Sequence, residues 1–332
     1  MKLDQLNLDV THGVCRSPVR TEPEWEWVAA RDAMVIPEQL YRFYCRANYF
    51  SFDRAPQFLN DPERFLFSFL AGVIVGMRES FEEAHELLAQ IGNEQGKGFS
   101  PIKKLRGEDF DRKADIRQRR AFRYLIVSLS SILDQFAETV SLLFHGDIKT
   151  LTVGRAMFSS LRQLAQSPYS PSGPVVSPKE ARFEELHAVL VQELDATGNE
   201  SDWFELFSLY RNKLAHLGSP MFQHMLFSDG KGEFYAFAPN RWPLFHQTML
   251  SRAGEHEKDS GSLEEYVREN YIHQDLVEYS RSLLARVTRL INRGFEVLCT
   301  AYDDFSGFQL NERALRSLNE KKEQYGFRAF SK

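Results

Sequence analysis

The chain has 332 residues, of which 43% are hydrophobic and 13% aromatic, and this composition indicates a packed globular protein and excludes an intrinsically disordered one. The formal net charge of −5 excludes a protein that coats nucleic acid through an overall positive charge, so any RNA contact would use a local patch. Cys15, Cys45 and Cys299 are too few and too widely spaced for a disulfide framework or a metal site.

The N-terminal sequence lacks the apolar segment of a signal peptide. The longest apolar run, residues 65–77, is shorter than the roughly 20 residues that cross a bilayer, so we interpret it as part of a buried helix. We therefore expect a cytoplasmic protein that makes no membrane contact.

Residues 1–110 are predicted to form an N-terminal helical region of unknown role, after an irregular or partly helical lead-in. Pro37 should open a short helix that reaches Arg46, and Asp61 followed by Pro62 is typical of a helix start. This second helix should be long and end at Gly92. The glycine-rich stretch that follows lacks the spacing of a phosphate-binding loop and has no strand before it, so we interpret it as a connector.

Residues 103–123 carry nine basic and four acidic side chains, a local excess of +5 in an otherwise acidic chain. Arginines at this density can hold phosphates, and we consider Arg119, Arg120 and Arg123 as candidate substrate-binding residues. The alternative is a solvated helix start whose charges pair with one another. Both interpretations remain open at this point.

The helix that begins near Asp111 has apolar residues at helical spacing and should end at Gly146. Its opposite face bears Asp134 and Glu138. A helix over about 151–165, a Pro-rich loop over 167–178 and an amphipathic helix over 179–194 are predicted next.

The stretch 203–218, WFELFSLYRNKLAHLG, joins an apolar helix face to Arg211, Asn212 and His216, and Gly218 should end the helix. At about 100° per residue, one arc of this helix is apolar and the other is polar. The apolar arc holds Trp203, Phe207, Tyr210, Leu214 and Leu217, and the polar arc holds Ser208, Arg211, Asn212, Ala215 and His216.

The sequence RNKLAH at residues 211–216 resembles the R-N-x-x-x-H signature of the HEPN family, all-α domains of which many are metal-independent endoribonucleases or toxins that act as dimers. The same Arg-to-His spacing occurs four times in the chain, at Arg182/His187, Arg211/His216, Arg241/His246 and Arg268/His273. Only the second pair has Asn directly after Arg. The resemblance covers six residues in a helical context of roughly residues 112–305.

The resemblance implies a catalytic site in which His216 acts as acid or base, Arg211 clamps the phosphate and Asn212 orients its neighbours, with no metal or cofactor. In some nucleases of this family an acidic residue on an earlier helix orients the motif arginine, a part that Asp134 or Glu138 would take here. The implied partners are RNA, a second copy of the chain in a homodimer with a composite site, and an antitoxin or other regulatory partner, as for toxin-antitoxin and defence effectors.

Beyond the motif, residues 222–238 contain two β-prone runs around an Asp-Gly pair, which predicts a hairpin. A long helix should follow over about 262–303. We thus predict a mostly all-α protein, with the N-terminal region 1–110, a HEPN-like helical bundle with a small β-hairpin insertion over 111–305, and a basic tail over 306–332.

Two alternatives to an endoribonuclease remain open. The first is a non-catalytic module that binds nucleotide or RNA through the same residues. The second is a helical protein–protein adaptor in which the motif is structural, since His216 in the last helical turn would interact favourably with the helix dipole.

Overall fold

The computed structural model describes residues 24–48, 61–98, 101–144, 178–194, 223–226, 233–236 and 276–301, together with single helical residues at 161, 164, 165, 203, 204, 207, 208 and 211. The helices within them are α1 (Glu24–Asp32), α2 (Glu38–Asn48), α3 (Asp61–Glu94), α4 (Pro101–Arg106), α5 (Ala114–Phe144), α6 (Pro178–Leu194) and α7 (Leu276–Ala301). These residues are mostly helical, which confirms the prediction of a mostly all-α protein.

The predicted starts of α2, α3 and α6 agree with the structure to within one residue, but the predicted end of α3 is wrong. The helix continues through Gly92 to Glu94, and the chain then turns through Gly96, whose φ of 72° is in the left-handed region that favours glycine. Local sequence did not distinguish which of two nearby glycines ends the helix. The short helix α4 was also missed: it lies between the glycine-rich connector and the predicted start of α5, where no helix was predicted.

Asp111 fixes the beginning of α5 close to the predicted position. Its carboxylate accepts a hydrogen bond from the backbone N–H of Lys113 at 2.8 Å, and its carbonyl accepts one from the N–H of Ala114 at 3.1 Å. An acidic side chain that accepts from the first backbone donors is a favourable helix start. This capping explains why α5 begins at Ala114.

The chain divides into two compact units: unit 1 comprises Met1–Glu82, Leu129–Asp202 and Arg286–Lys332, and unit 2 comprises Glu83–Ser128 and Trp203–Ala285. In unit 1 the ring of Phe295 on α7 lies 5.0 Å from that of Phe43 and 5.5 Å from that of Phe136. Gly294 lets α7 approach Phe136 closely, since a Cβ atom there would lie 2.3 Å from Phe136 Cζ. The three-part division predicted from the sequence stays a prediction.

Unit 1 also contains buried charges with specific partners. The Glu193 side chain on α6 is 4% exposed, and its two oxygens accept hydrogen bonds from Arg289 Nε at 2.8 Å and Arg293 Nη1 at 2.7 Å on α7. Arg78 lies over the ring of Trp27, 5.4 Å from its centroid. Pairing of this kind offsets the cost of burying charge.

In unit 2 the contacts join α3, α5 and α7. Gln118 Nε2 donates to the carbonyl of Ile91 at 3.2 Å, and Ser128 Oγ donates to Glu83 Oε2 at 2.8 Å. The rings of Phe122 and Tyr279 are 6.2 Å apart. The N-terminal half of α5 is thereby held against the C-terminal end of α3 and the start of α7.

Two short strands, β1 (Gln223–Leu226) and β2 (Glu233–Ala236), pair antiparallel with Gln223 opposite Ala236. The residues that connect them lie outside the described part of the chain, as do the Pro-rich stretch 167–177, the residues 262–275 at the predicted start of the last helix and the tail 306–332. The hairpin insertion therefore stays a prediction.

By length and composition, α5 is apolar enough to cross a bilayer, and 72% of its most apolar window is buried inside the protein. Core helices of folded domains pass the same test. The predicted cytoplasmic localisation stays a prediction.

Candidate functional site

The helix that carries the motif is anchored by three buried aromatic side chains. Trp203, Phe204 and Phe207 are all buried, with ring centroids 5.5 to 6.5 Å apart. Ser208 is half-buried, and its hydroxyl donates to the carbonyl of Phe204 at 2.7 Å, one helical turn back. The burial of Trp203 and Phe207 confirms that the predicted apolar arc faces the core at these positions.

Arg211 is half-buried and follows Phe207 by four residues along the chain. Phe204, seven residues earlier, lies only about 20° from Arg211 around an ideal helix, so the buried arc extends further toward the arginine than the sequence pattern indicates. The burial of Phe204 was missed, because the width of a buried arc depends on tertiary packing that helical periodicity does not show. A half-buried guanidinium is less hydrated than an exposed one, and its interaction with a phosphate is less screened by water.

Asn212 and His216 lie outside the described residues, as do three further residues of the predicted apolar arc, Tyr210, Leu214 and Leu217. The geometry of the Arg211, Asn212 and His216 triplet therefore stays a prediction.

Arg117 has a structural role, which was not evident from the sequence. Its Nη2 lies 2.6 Å from Glu94 Oε2 and 2.5 Å from Asp111 Oδ2. These hydrogen bonds hold the pKa of the Glu94 carboxyl below its usual value and, together with the backbone N–H of Lys113, do the same to the pKa of Asp111. They raise the pKa of Arg117 in turn. This ion pair network joins the end of α3 to the start of α5.

The three candidate substrate-binding arginines differ in their surroundings. Arg119 is half-buried, and its Nε donates to the carbonyl of Asp115 at 3.2 Å, whereas Arg120 and Arg123 are exposed. Beside them stands Tyr124, with 55% of its surface exposed. The aromatic residue was missed, although its position four residues after Arg120 places it on the same side of α5.

We use the name α5 face for the five exposed residues between 116 and 127: Ile116, Arg120, Arg123, Tyr124 and Val127. At about 100° per residue they occupy an arc of roughly 100°, and along the axis they span about 16 Å. The α5 face and Arg211 belong to the same compact unit.

The two acids proposed to orient Arg211 are assigned to a different compact unit from Arg211 itself. Asp134 and Glu138 are half-buried on the part of α5 that belongs to unit 1, whereas Arg211 belongs to unit 2. Their pairing with Arg211 stays a prediction. Within the described part of the chain, no three His, Cys, Asp or Glu side chains lie close enough to hold a metal ion.

No family model, no curated protein and no solved structure matches the chain. The features of the chain that bear on function are therefore the motif, the surroundings of Arg211 and the α5 face.

Proposed function

We propose that the protein is a metal-independent endoribonuclease of the HEPN type, cytoplasmic and acting as a homodimer. The observation that carries this proposal is the position of Arg211: it follows a buried aromatic anchor on a helix, at the boundary between core and solvent, and opens the sequence RNKLAH. A half-buried cation at such a boundary suits a site that must hold a phosphate in one place. The HEPN-like bundle and its β-hairpin insertion are part of the same proposal.

The proposed reaction is transesterification within the RNA strand. His216 takes the proton from a 2′-hydroxyl, the 2′-oxygen forms a bond to the adjacent phosphorus, and the bond from phosphorus to the 5′-oxygen breaks. The leaving oxygen takes a proton from a second histidine. Arg211 donates to the phosphate oxygens as their charge grows, and Asn212 orients His216 or the substrate. The products are a 2′,3′-cyclic phosphate and a 5′-hydroxyl.

The need for two histidines is the reason for a homodimer. One chain has a single His216, so the partner subunit's His216 would supply the other proton transfer. The toxin or defence role, with an antitoxin or regulatory partner, belongs to this proposal as what the family resemblance implies.

A second candidate is a non-catalytic module that binds nucleotide or RNA. The observation that favours it is the α5 face, which offers exposed arginines and an aromatic ring without any use of His216. In that case Arg211 binds anions and does not take part in cleavage.

The test is incubation of mixed RNAs with purified protein in EDTA, followed by end-group analysis. Wild type should leave 2′,3′-cyclic phosphate ends, and His216→Ala should reduce cleavage at least about 100-fold because it removes acid–base catalysis. Arg211→Ala should reduce cleavage as well.

The matched control is the pair Arg182→Ala and His187→Ala, which has the same spacing on α6. Arg182 pairs with Glu185 at 2.9 Å, and the ring of His187 lies 6.4 Å from that of Phe183. Both control variants should cleave like wild type. Wild-type protein that binds RNA without cutting it would replace the first proposal with the second candidate, and Arg211→Ala and His216→Ala variants that only lose stability would indicate the adaptor.

A further inference from the structure

The α5 face combines two properties that seldom share one solvent-exposed helix surface. Its apolar members are well exposed, with Ile116 at 42%, Tyr124 at 55% and Val127 at 53%. Its charged members, Arg120 and Arg123, are both cations, and the arc contains no acid. An ordinary solvated helix face has mixed charges and few large apolar side chains, so this surface is unusual for a helix that faces only water.

Neighbouring charges strengthen this local positive character. Arg119 lies on the border of the arc, and two nearby acids, Glu94 and Asp111, bind Arg117. Part of the basic excess of residues 103–123 thus lies on the exposed side of α5, at Arg120 and Arg123, in a chain whose overall charge is −5. A polyanion is the ligand that this charge attracts.

A second copy of the chain fits the α5 face less well than RNA does. Two copies that met through this face would bring Arg120 and Arg123 against the same arginines of the partner, and like charges across an interface are unfavourable. RNA has the complementary charge, and its bases supply flat surfaces for Tyr124.

We infer that the α5 face binds single-stranded RNA, with an unpaired base stacked on Tyr124 and the neighbouring phosphates held by Arg120 and Arg123. Ile116 and Val127 extend the apolar contact to the ribose and base edges. Single strands are favoured over duplex because a paired base is already stacked and cannot reach the tyrosine ring. The inference rests on the proposed function for its choice of RNA, and it names the form of RNA that the nuclease receives.

The experiment measures binding separately from cleavage. Full-length wild-type protein is titrated into fluorescein-labelled 2′-O-methyl oligouridylate, which lacks the attacking hydroxyl, and anisotropy is recorded at several salt concentrations. Tyr124→Ala should weaken binding at least about fivefold, and Tyr124→Phe should retain it, because the ring and not the hydroxyl stacks. Arg120→Gln should weaken binding and reduce the salt dependence by roughly one counterion.

The matched controls are exposed residues away from α5, one on α2 and one in the turn after α1. Arg42→Gln changes an exposed arginine on α2, and Met34→Ala removes an apolar side chain that is 85% exposed. Neither should change binding, and the same oligouridylate annealed to oligoadenylate should bind more weakly than the single strand.

Equal binding by wild type and Tyr124→Ala, no detectable binding by wild type, or a preference for duplex would overturn the inference. So would sedimentation data in which Tyr124→Ala loses a dimer while RNA binding is unchanged, since the face would then join two copies. If wild type cleaves RNA and Tyr124→Ala binds RNA as well as wild type does, the proposed nuclease activity is supported and the α5 face is not the RNA-binding surface. If RNA binding depends on Tyr124 but wild type does not cleave RNA, the α5 face is the RNA-binding surface and the proposed nuclease activity is wrong.

Discussion

Replacing Gly294 by alanine should destabilise the protein, even though alanine is the better helix former. The added Cβ would lie 2.3 Å from Cζ and 2.9 Å from Cε2 of Phe136, closer than carbon atoms approach without a shift. Phe136 is fully buried, and the ring of Phe295 lies 5.5 Å away, so its ring has little room to move. We expect an overpacking cost in the upper part of the usual range, about 2 to 3 kcal/mol.

The gain from replacing glycine inside a helix offsets part of this cost, by about 1 kcal/mol. The net prediction for Gly294→Ala is a loss of about 1 to 2 kcal/mol in the free energy of unfolding. Gly92 supplies the matched control, because it also lies within a helix but no atom stands within 4 Å of the Cβ position. Gly92→Ala should therefore stabilise the protein by up to about 1 kcal/mol.

Urea unfolding followed by tryptophan fluorescence measures both variants against wild type. Adding Phe136→Leu to Gly294→Ala should recover part of the loss, since the smaller side chain frees the space that the new methyl group needs. A Gly294→Ala protein as stable as wild type, or a double variant whose losses simply add, would refute the close-approach argument.

Three further changes test the charged and turn residues. Glu193→Gln should lower the free energy of unfolding by about 1 to 3 kcal/mol, because it removes the charge shared by two arginines. Its control, Glu185→Gln at an exposed ion pair, should change that free energy by less than about 1 kcal/mol, and urea unfolding compares the two variants. Arg117→Ala should be less stable than wild type at neutral pH, and this difference in stability should shrink as the pH falls below about 4, since carboxyls with lowered folded-state pKa values stabilise the fold only while ionised. Unfolding at a series of pH values measures the difference, and a difference that stays constant with pH would contradict the prediction. Gly96→Ala should cost about 1 to 2 kcal/mol by the same assay although nothing touches a Cβ atom there, because its φ of 72° strains any other residue.

The sequence predicted most of the helical structure because the signals are local. Apolar residues at helical spacing located α5 and the described part of α7, and proline or acidic residues located the starts of α2 and α3. The predicted end of α3 was wrong because Gly92 and Gly96 are equivalent as sequence signals. Only the packed chain determines which of them adopts a positive φ.

The sequence was sufficient to name candidate site residues, but it did not show the contacts or exposure of their side chains. The sequence contained the RNKLAH motif and the basic stretch, but it did not separate Arg117, bound to an acid 23 residues away, from Arg120, which is exposed. It also did not reveal that Tyr124 is exposed, since a tyrosine in an apolar helix is more often part of the core. Such distinctions depend on contacts between distant parts of the chain.

Because the two compact units are interleaved along the chain, truncation of the gene cannot separate one unit from the other. Unit 2 consists of two segments, 83–128 and 203–285, and each interrupts the sequence of unit 1. A premature stop or a late start therefore removes material from unit 1 before it reaches an end of unit 2, so trimming the gene from either side never yields unit 2 alone. Because α3, α5 and α7 each run across a boundary between the units, point substitutions are the way in which the two units can be assigned separate phenotypes.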